Sequence, residues 1–163
     1  ITIMKIEVSI DVSSQVSQSY KRTNTKNFPG TAIGMVSQDK KYKYSVFMYK
    51  EEIIKFVDLI NKEDKKVAFC KLHSCLMYLC LENNLKYIDK INYCRDFKVS
   101  TLQKILFELF PTLKKIKRNW DGGRGNKSIA DSYANHIRKN PTQANRILTA
   151  EDIKNLLARA PIG

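Results

Sequence analysis

Hydrophobic and polar positions alternate near the start of the chain, and this pattern predicts a strand over residues 5–14. Apolar residues occupy the even positions from 6 to 10, and polar residues occupy the odd positions from 7 to 11. A period of two is typical of a half-buried β-strand. Further apolar segments predict strands over 31–36 and 42–49. Their short or polar links favour an antiparallel meander of the first three strands.

After residue 50 the period becomes mostly helical. Helices are predicted over 51–61, 72–83, 100–109 and 126–138, with a last amphipathic helix from Thr149 to Leu157. Ser100 and Gln103 suggest a capping box for the third of these helices. Strands are predicted over 65–70 and 85–94, although 65–70 suits a helix almost equally well. Residues 114–120 are basic and suit an extended segment, and 121–125 form a glycine-rich loop.

This order predicts an α/β fold with a mixed five-stranded sheet, three antiparallel strands followed by parallel strands, and helices on both faces. The length of 163 residues favours a single domain. Residues 141–163 are interpreted as a C-terminal extension of that domain with a short amphipathic helix.

The net charge narrows the choice of partner. The chain has 29 Lys and Arg against 16 Asp and Glu, which gives +13. Such an excess of positive charge favours a polyanionic binding partner, with nucleic acid first and an anionic membrane second. A lysine-rich composition from an AT-rich genome would produce the same charge. Apolar runs are too short for a membrane span. The cysteines, Cys70, Cys75, Cys80 and Cys94, have no zinc spacing and indicate reduced, buried thiols in a cytoplasmic protein.

Two carboxylates are candidates for metal binding. Asp11 falls at the carboxyl end of the first strand, where ligands gather in open α/β sheets, although a capping or loop aspartate would look the same. Asp131 lies on the helix predicted over 126–138, and its flanking Ala130 and Ala134 allow close approach to the sheet. The alternative for Asp131 is a carboxylate favoured by the helix dipole. Carboxylates suit Mg²⁺ or Mn²⁺, which can drive phosphodiester hydrolysis.

Basic residues cluster just before and along the same helix, and they are the predicted nucleic-acid contacts. They are Lys114, Lys115, Lys117, Arg118, Arg124, Lys127, Arg138 and Lys139. If several of them neutralise phosphates, affinity should fall steeply with salt. A solvated basic face would give the same composition without that dependence.

Short motifs resemble those of one family. Ile129–Ala134 resembles the final-helix motif of RuvC-type Holliday-junction resolvases, members of the ribonuclease H-like superfamily, and Ala130–Tyr133 is similar to the Ala-Asp-Ser-aromatic form of poxviral relatives. Tyr93–Lys98 resembles the segment that places a lysine near the scissile phosphate. The small size is similar to that of phage-encoded members. The predicted topology fits this superfamily over residues 5 to about 140.

The resemblance implies a ribonuclease H-like fold and a metal-dependent endonuclease that cuts branched DNA, such as a four-way junction, as a homodimer. It implies Asp11 and Asp131 as catalytic metal ligands, Glu52 as a further one by its position at the start of the first helix, and Lys98 as a catalytic lysine. The apolar helix 72–83 becomes a candidate dimer surface. A phage-encoded member would act in the host-cell cytoplasm.

The chain also departs from the family pattern. A glutamate is expected at the end of the fourth strand, where Cys70, Lys71 and His73 stand, and Ser128 replaces a second acid before Asp131. Two alternatives therefore stay open, ribonuclease H activity on RNA–DNA hybrids and a non-catalytic basic module that binds nucleic acid. Other oxygen donors that the fold could recruit are Glu51, Asp89, Asp96 and Asp121.

Overall fold

A mixed six-stranded sheet forms the centre of the computed structural model, which describes residues 4–60, 64–120 and 128–163. The strands are β1 (Ile6–Ser13), β2 (Gly30–Ser37), β3 (Lys43–Tyr49), β4 (Ile88–Tyr93), β5 (Lys117–Asn119) and β6 (Arg146–Leu148). Their order across the sheet is β5-β4-β1-β2-β3-β6. The first three strands are antiparallel, β4 is parallel to β1, β5 to β4, and β6 to β3.

Seven α-helices are present in the described residues. They are α1 (Val16–Lys21), α2 (Lys50–Leu59), α3 (Lys65–Leu81), α4 (Ser100–Leu109), α5 (Pro111–Lys114), α6 (Asp131–Lys139) and α7 (Ala150–Arg159). Short 3-10 helices cover Glu82–Tyr87, Arg95–Phe97 and Pro141–Gln143. None of the described helices is long and apolar enough to cross a membrane. The general prediction of an α/β fold with a mixed sheet is confirmed.

The two faces of the sheet differ in character because side chains alternate along each strand. Val8, Ile10 and Val12 of β1 belong to the main apolar core, together with buried residues of α3, α4 and α7. Ser9, Asp11 and Ser13 are also buried, yet they are polar and alternate with that set. Helix α6 packs on the polar face, which therefore combines burial with groups capable of chemistry.

The predicted strand over 65–70 is wrong, since these residues form the first part of α3. The Asp64 side chain accepts a hydrogen bond from the Lys66 N–H at 3.0 Å and caps the helix. Of residues 65–70 only Ala68 is buried, and six residues are too few to show a helical period, so the segment also suits a short strand. The fourth strand is therefore the segment predicted over 85–94, of which Ile88–Tyr93 forms β4.

Several smaller predictions are corrected or confirmed by the local structure. The sequence predicted no element between residues 14 and 31, where α1 forms. Ser100 is not a cap, because Val99 occupies the N-cap position and makes no side-chain cap hydrogen bond. The basic segment 114–120 does contain a strand, β5. The capping box of Thr149 and Asp152 is present at the start of α7.

The segment interpreted as an extension is joined to the sheet and the core. Strand β6 pairs with β3 from Val46 to Met48. Leu148, Ile153 and Leu156 are at most 1% exposed and lie in the main apolar core. The Ile162 N–H donates to the Leu109 carbonyl at 2.9 Å. Residues 146–163 therefore contribute to the same packed structure.

Candidate metal centre

The carboxyl ends of β1 and β4 bring three possible metal ligands together. The strands are parallel neighbours with Ile10 opposite Tyr93, and the Cys94 N–H donates to the Ile10 carbonyl at 3.2 Å. This register places Asp11 beside Cys94 and the 3-10 turn that carries Asp96. One ligand atom from each of these three residues lies within 4.8 Å of the other two. Such a strand-end location is where α/β sheets commonly bind ligands.

Helix α6 brings a third carboxylate, Asp131, to this end of the sheet. Gly34 of β2 lies opposite Asp11 in the antiparallel register. A methyl group built on Gly34 would lie 2.8 Å from Tyr133 Cδ2 and 3.3 Å from the Ala134 nitrogen. The glycine and the buried Ala134 therefore permit the helix to lie against the strands. The Asp131 charge is close enough to act on the Asp11 carboxyl.

Burial dominates the electrostatics of Asp11, which is 5% exposed. Burial first, and then the charges of Asp131 and Asp96, raise its pKa from 3.8 to about 6, although hydrogen bonds from Cys94 and the Val12 N–H act in the opposite direction. The Val12 N–H donates to Asp11 Oδ1 at 2.8 Å. A cation bound to these carboxylates would relieve both the burial of charge and the mutual repulsion.

Cys94 is suited to donating a hydrogen bond within this cluster. Burial, followed by the charge of Asp11, raises the pKa of the Cys94 thiol well above its ordinary value. The protonated thiol can donate to the Asp11 carboxylate. A hard cation prefers oxygen, so the carboxylates are its better ligands.

Glu52 lies away from this cluster, in contrast to its predicted role as a metal ligand. It lies in the first turn of α2, which follows β3, and β3 is two strands from β1 in the sheet order. Its Oε1 accepts from the Ala150 N–H at 2.9 Å, and its Oε2 lies 3.2 Å from Lys55 Nζ. The hydrogen bond from Ala150 is the main reason that the pKa of Glu52 is lowered. This carboxylate holds the start of α7.

Asp96 lies just after the fourth strand of the structure, although the sequence pattern indicated it only as one of several further oxygen donors. The end of the fourth strand was predicted near Cys70, Lys71 and His73, but all three lie on α3. His73 is buried against Phe97, and burial lowers its pKa to about 4. Because β4 ends at Tyr93, Asp96 follows the fourth strand closely. The polar pair Arg95-Asp96 directly follows the segment of alternating residues predicted as a strand. This position was the sequence feature that indicated a donor at a strand end.

The remaining candidate donors have other positions. Ser128 is buried, and its Oγ accepts from the Ala130 N–H at 3.1 Å, which helps to begin α6. Glu51 and Asp89 are exposed at the starts of α2 and β4. Asp121 lies outside the described residues. Lys98 is exposed two positions after Asp96, at the same end of β4 as the cluster.

The predicted nucleic-acid contacts divide into two described groups. Lys114, Lys115, Lys117 and Arg118 are exposed near the edge strand β5, where Lys115 Nζ donates to the Gly163 carbonyl at 3.0 Å and Arg118 lies 4.7 Å above the Phe107 ring. Arg138, by contrast, connects α6 to β1, because its Nε donates a hydrogen bond to Ser13 Oγ at 2.8 Å. Lys139 is exposed at the end of α6. Arg124 and Lys127 lie outside the described residues.

Comparison of the chain with protein-family models, with curated proteins and with solved structures gave no significant match. Function is therefore inferred from the geometry and electrostatics described above.

Proposed function

We propose that this protein is a divalent-metal-dependent endonuclease with a ribonuclease H-like fold, which hydrolyses phosphodiester bonds in branched DNA of the four-way-junction type. The observation that carries this proposal is the convergence of three carboxylates at one end of the sheet. Asp11 is buried there, and its pKa is raised to about 6 partly because Asp131 and Asp96 are near. Carboxylates that destabilise one another in this way favour a bound cation.

The fold supports this class of enzyme. Three antiparallel strands are followed by β4 and β5, which run parallel to β1 on its other side. This arrangement, with an aspartate near the end of β1 and a helix carrying Asp131 against the sheet, agrees with what the resemblance to RuvC-type resolvases implies. Strand β6 is an addition at the edge next to β3.

The donor set fits Mg²⁺ or Mn²⁺ because its charged groups are oxygen ligands. Asp11, Asp96 and Asp131 would hold the metal, and the Cys94 thiol would orient Asp11 by its hydrogen bond. Bound divalent cations would supply an activated water and neutralise charge on the leaving oxygen. Lys98, exposed at the same strand end, is proposed to contact the scissile phosphate.

Symmetric cutting of a junction requires two active sites, so the proposed enzyme acts as a homodimer in the cytoplasm. The surface predicted for dimerisation needs correction. Residues 72–81 are all buried within the core of their own subunit, against the sheet and neighbouring helices. A second copy would therefore have to use another face of the molecule.

The test is cleavage of a synthetic four-way junction, a linear duplex and an RNA–DNA hybrid in Mg²⁺ or Mn²⁺. We expect the wild-type protein to cut the junction and Asp11→Asn to bind it without cutting. Asp89→Asn is the matched control, because Asp89 is exposed at the opposite end of β4 and should tolerate the same change.

Equal cleavage by wild type and Asp11→Asn would overturn the proposal. Cleavage of the hybrid alone would identify a ribonuclease H instead. Binding of all substrates without cleavage in either metal would leave a nucleic-acid-binding module. That last alternative was favoured by the missing acid after the fourth strand, and it is weakened because Asp96 occupies such a position.

A further inference from the structure

A groove beside α6 leads to Asp131. It lies between α6 and the turn that joins β2 to β3, and its volume is about 710 Å³. Lys40 and Lys43 line it from the turn and β3, Tyr133 and His136 line it from α6, and Asp131 also borders it. The groove therefore reaches Asp131, whose charge acts on the Asp11 carboxyl.

Lys40, one of the two lysines that line the groove, lies in a well-defined turn, and Lys43 begins β3 just after it. Lys40 adopts a left-handed backbone conformation with φ of 63°, and its N–H donates to the Ser37 carbonyl at 2.8 Å. The neighbouring Asp39 accepts hydrogen bonds from Ser37 Oγ at 2.6 Å and from the Lys41 N–H at 3.0 Å, so its carboxylate is used within the turn. The backbone at Lys40 is consequently held in place while its side chain is exposed.

The opposite wall of the groove is also fixed. The Tyr133 hydroxyl donates to Ser45 Oγ at 3.0 Å, and Lys43 Nζ lies 5.5 Å from the centre of the Tyr133 ring. His136 Nε2 and Gln143 Oε1 are 2.7 Å apart, which closes the wall near the end of α6. Among the described residues that line the groove, Lys40 and Lys43 are the lysines and Asp131 is the acid.

We propose that this groove binds the nucleic-acid strand that enters the carboxylate cluster, with backbone phosphates against Lys40 and Lys43. The inference rests on the proposed function for the identity of the ligand and deepens it by assigning the strand's path. An open groove with two exposed lysines complements a phosphate backbone. This surface is distinct from the predicted cluster near β5, because β5 and the β2–β3 turn lie on opposite sides of β1.

The experiment compares charge-matched double variants by fluorescence anisotropy with a labelled four-way junction in EDTA, over a series of salt concentrations. Lys40→Asn with Lys43→Gln removes the groove lysines, and asparagine tolerates the left-handed conformation at position 40. Lys104→Gln with Lys154→Gln is the control, because both lysines are exposed on α4 and α7, which pack on the other face of the sheet. Lys114→Gln with Lys117→Gln tests the competing surface near β5.

We expect the groove variant to reduce the magnitude of the slope of log affinity against log salt by about 2, because each lysine removed leaves one phosphate without its cationic partner. The control should keep the wild-type slope, and circular dichroism should show that all variants are folded. An unchanged slope for the groove variant, or an equal reduction in the control, would overturn the proposal. A reduced slope in the Lys114 and Lys117 variant alone would assign the strand to the β5 edge instead.

Binding in EDTA separates this inference from the proposed function. A shallower slope in the groove variant, with no cleavage by wild type in Mg²⁺ or Mn²⁺, would support the groove as a binding surface and overturn the nuclease. Metal-dependent cleavage by wild type, with an unchanged slope in the groove variant, would support the nuclease and overturn the role of the groove.

Discussion

A single buried carboxyl group, that of Asp11, connects stability with the proposed chemistry. Its side chain is held between the Cys94 thiol and the Val12 N–H, while Asp131 and Asp96 bring further negative charge. Burial of a carboxylate favours the neutral form, and nearby like charges act in the same direction. The folded protein therefore binds a proton at Asp11 more tightly than the unfolded chain does, and ionisation of this residue opposes folding.

We expect Asp11→Asn to stabilise the folded protein above pH 7 in EDTA. The pKa of Asp11 is about 6 in the folded state against the ordinary value of 3.8. The destabilisation of wild type by ionised Asp11 is absent below pH 3.8, grows as the pH rises from 3.8 to 6 and is complete above 6. Its size is roughly 3 kcal/mol, from 1.36 kcal/mol per tenfold change in proton affinity. Urea unfolding of both proteins at pH 4, 6 and 8 measures the difference.

Mg²⁺ provides the control for this prediction. The metal should raise the unfolding midpoint of wild type at pH 8 and leave that of Asp11→Asn almost unchanged, since the variant lacks the central ligand. A stability difference between the two proteins that is the same at all three pH values would contradict the assigned burial and repulsion.

Glu52 should act on stability and leave chemistry intact. Glu52→Ala removes the acceptor of the Ala150 N–H and the partner of Lys55, so we expect a loss of about 1 kcal/mol in urea unfolding. Glu52→Gln keeps an oxygen that can accept from Ala150 and should recover most of that loss. Junction cleavage by the folded Glu52→Gln protein should equal that of wild type, whereas replacing a metal ligand in the same way would reduce activity.

At the residue level, sequence patterns indicated two of the three carboxylates of the proposed metal site, Asp11 and Asp131. The alternation of β1 placed Asp11 near a strand end, and small neighbours placed Asp131 on a helix that can lie close to a sheet. Asp96 was ranked low because the fourth strand was assigned to 65–70, which moved the expected site onto α3. The role of Glu52 depends on a contact with Ala150, 98 positions away, which no local pattern reveals.

At the level of elements, the shortness of one segment explains the main error. Residues 65–70 form the first part of α3, but six residues are too few to separate a helical period from a short strand, whereas the longer apolar run was recognised as the helix predicted over 72–83. Strands β5 and β6 have three residues each and include exposed positions, so they depend on pairing with β4 and β3 more than on their own composition. The amphipathic α7, by contrast, was predictable because its capping box and apolar stripe are both local features.

The contact between β2 and α6 is the element-level feature that positions Asp131. We expect Gly34→Ala to push α6 away from the strands, because the added methyl group would meet Tyr133 and the Ala134 backbone. The stability loss should be about 1–3 kcal/mol. Cleavage should fall by about a hundredfold, since a displacement near 1 Å is enough for such an effect. Kinetics below the unfolding temperature measure this loss.

Met35→Leu is the matched control for Gly34→Ala, since Met35 is the next residue of β2 and belongs to the main apolar core on the other face. A change of similar volume there should cost less than about 1.5 kcal/mol and leave cleavage unchanged. Equal cleavage by Gly34→Ala and wild type would show that the position of α6 does not control the site.

For the whole molecule, the two faces of the sheet have different roles. One face carries the main apolar core, and the other carries the residues of the proposed chemistry. The main apolar core joins β1 to α3, α4 and α7. The opposite face carries the buried polar residues of β1 and a smaller apolar cluster, in which Ala32 and Phe47 of the sheet pack with Ile137 of α6. Most of the folding free energy is supplied by the apolar face. The folded protein can therefore tolerate the repulsion among the carboxylates on the other face.

The C-terminal residues belong to the stabilising face, so we expect deletion of 144–163 to abolish cooperative folding. The deletion removes Leu148, Ile153 and Leu156 from the core and leaves the outer edge of β3 without its partner β6. Burying each of these side chains contributes roughly 1.5–3 kcal/mol, and their sum is comparable to the entire stability of a typical domain, about 5–15 kcal/mol.

Deletion of 161–163 alone should keep a cooperative transition at a lower temperature, because it removes only Ile162 and its two neighbours. Thermal unfolding by circular dichroism and size-exclusion chromatography distinguish the two truncations, and a wild-type transition in the longer deletion would show that this segment is peripheral to the fold.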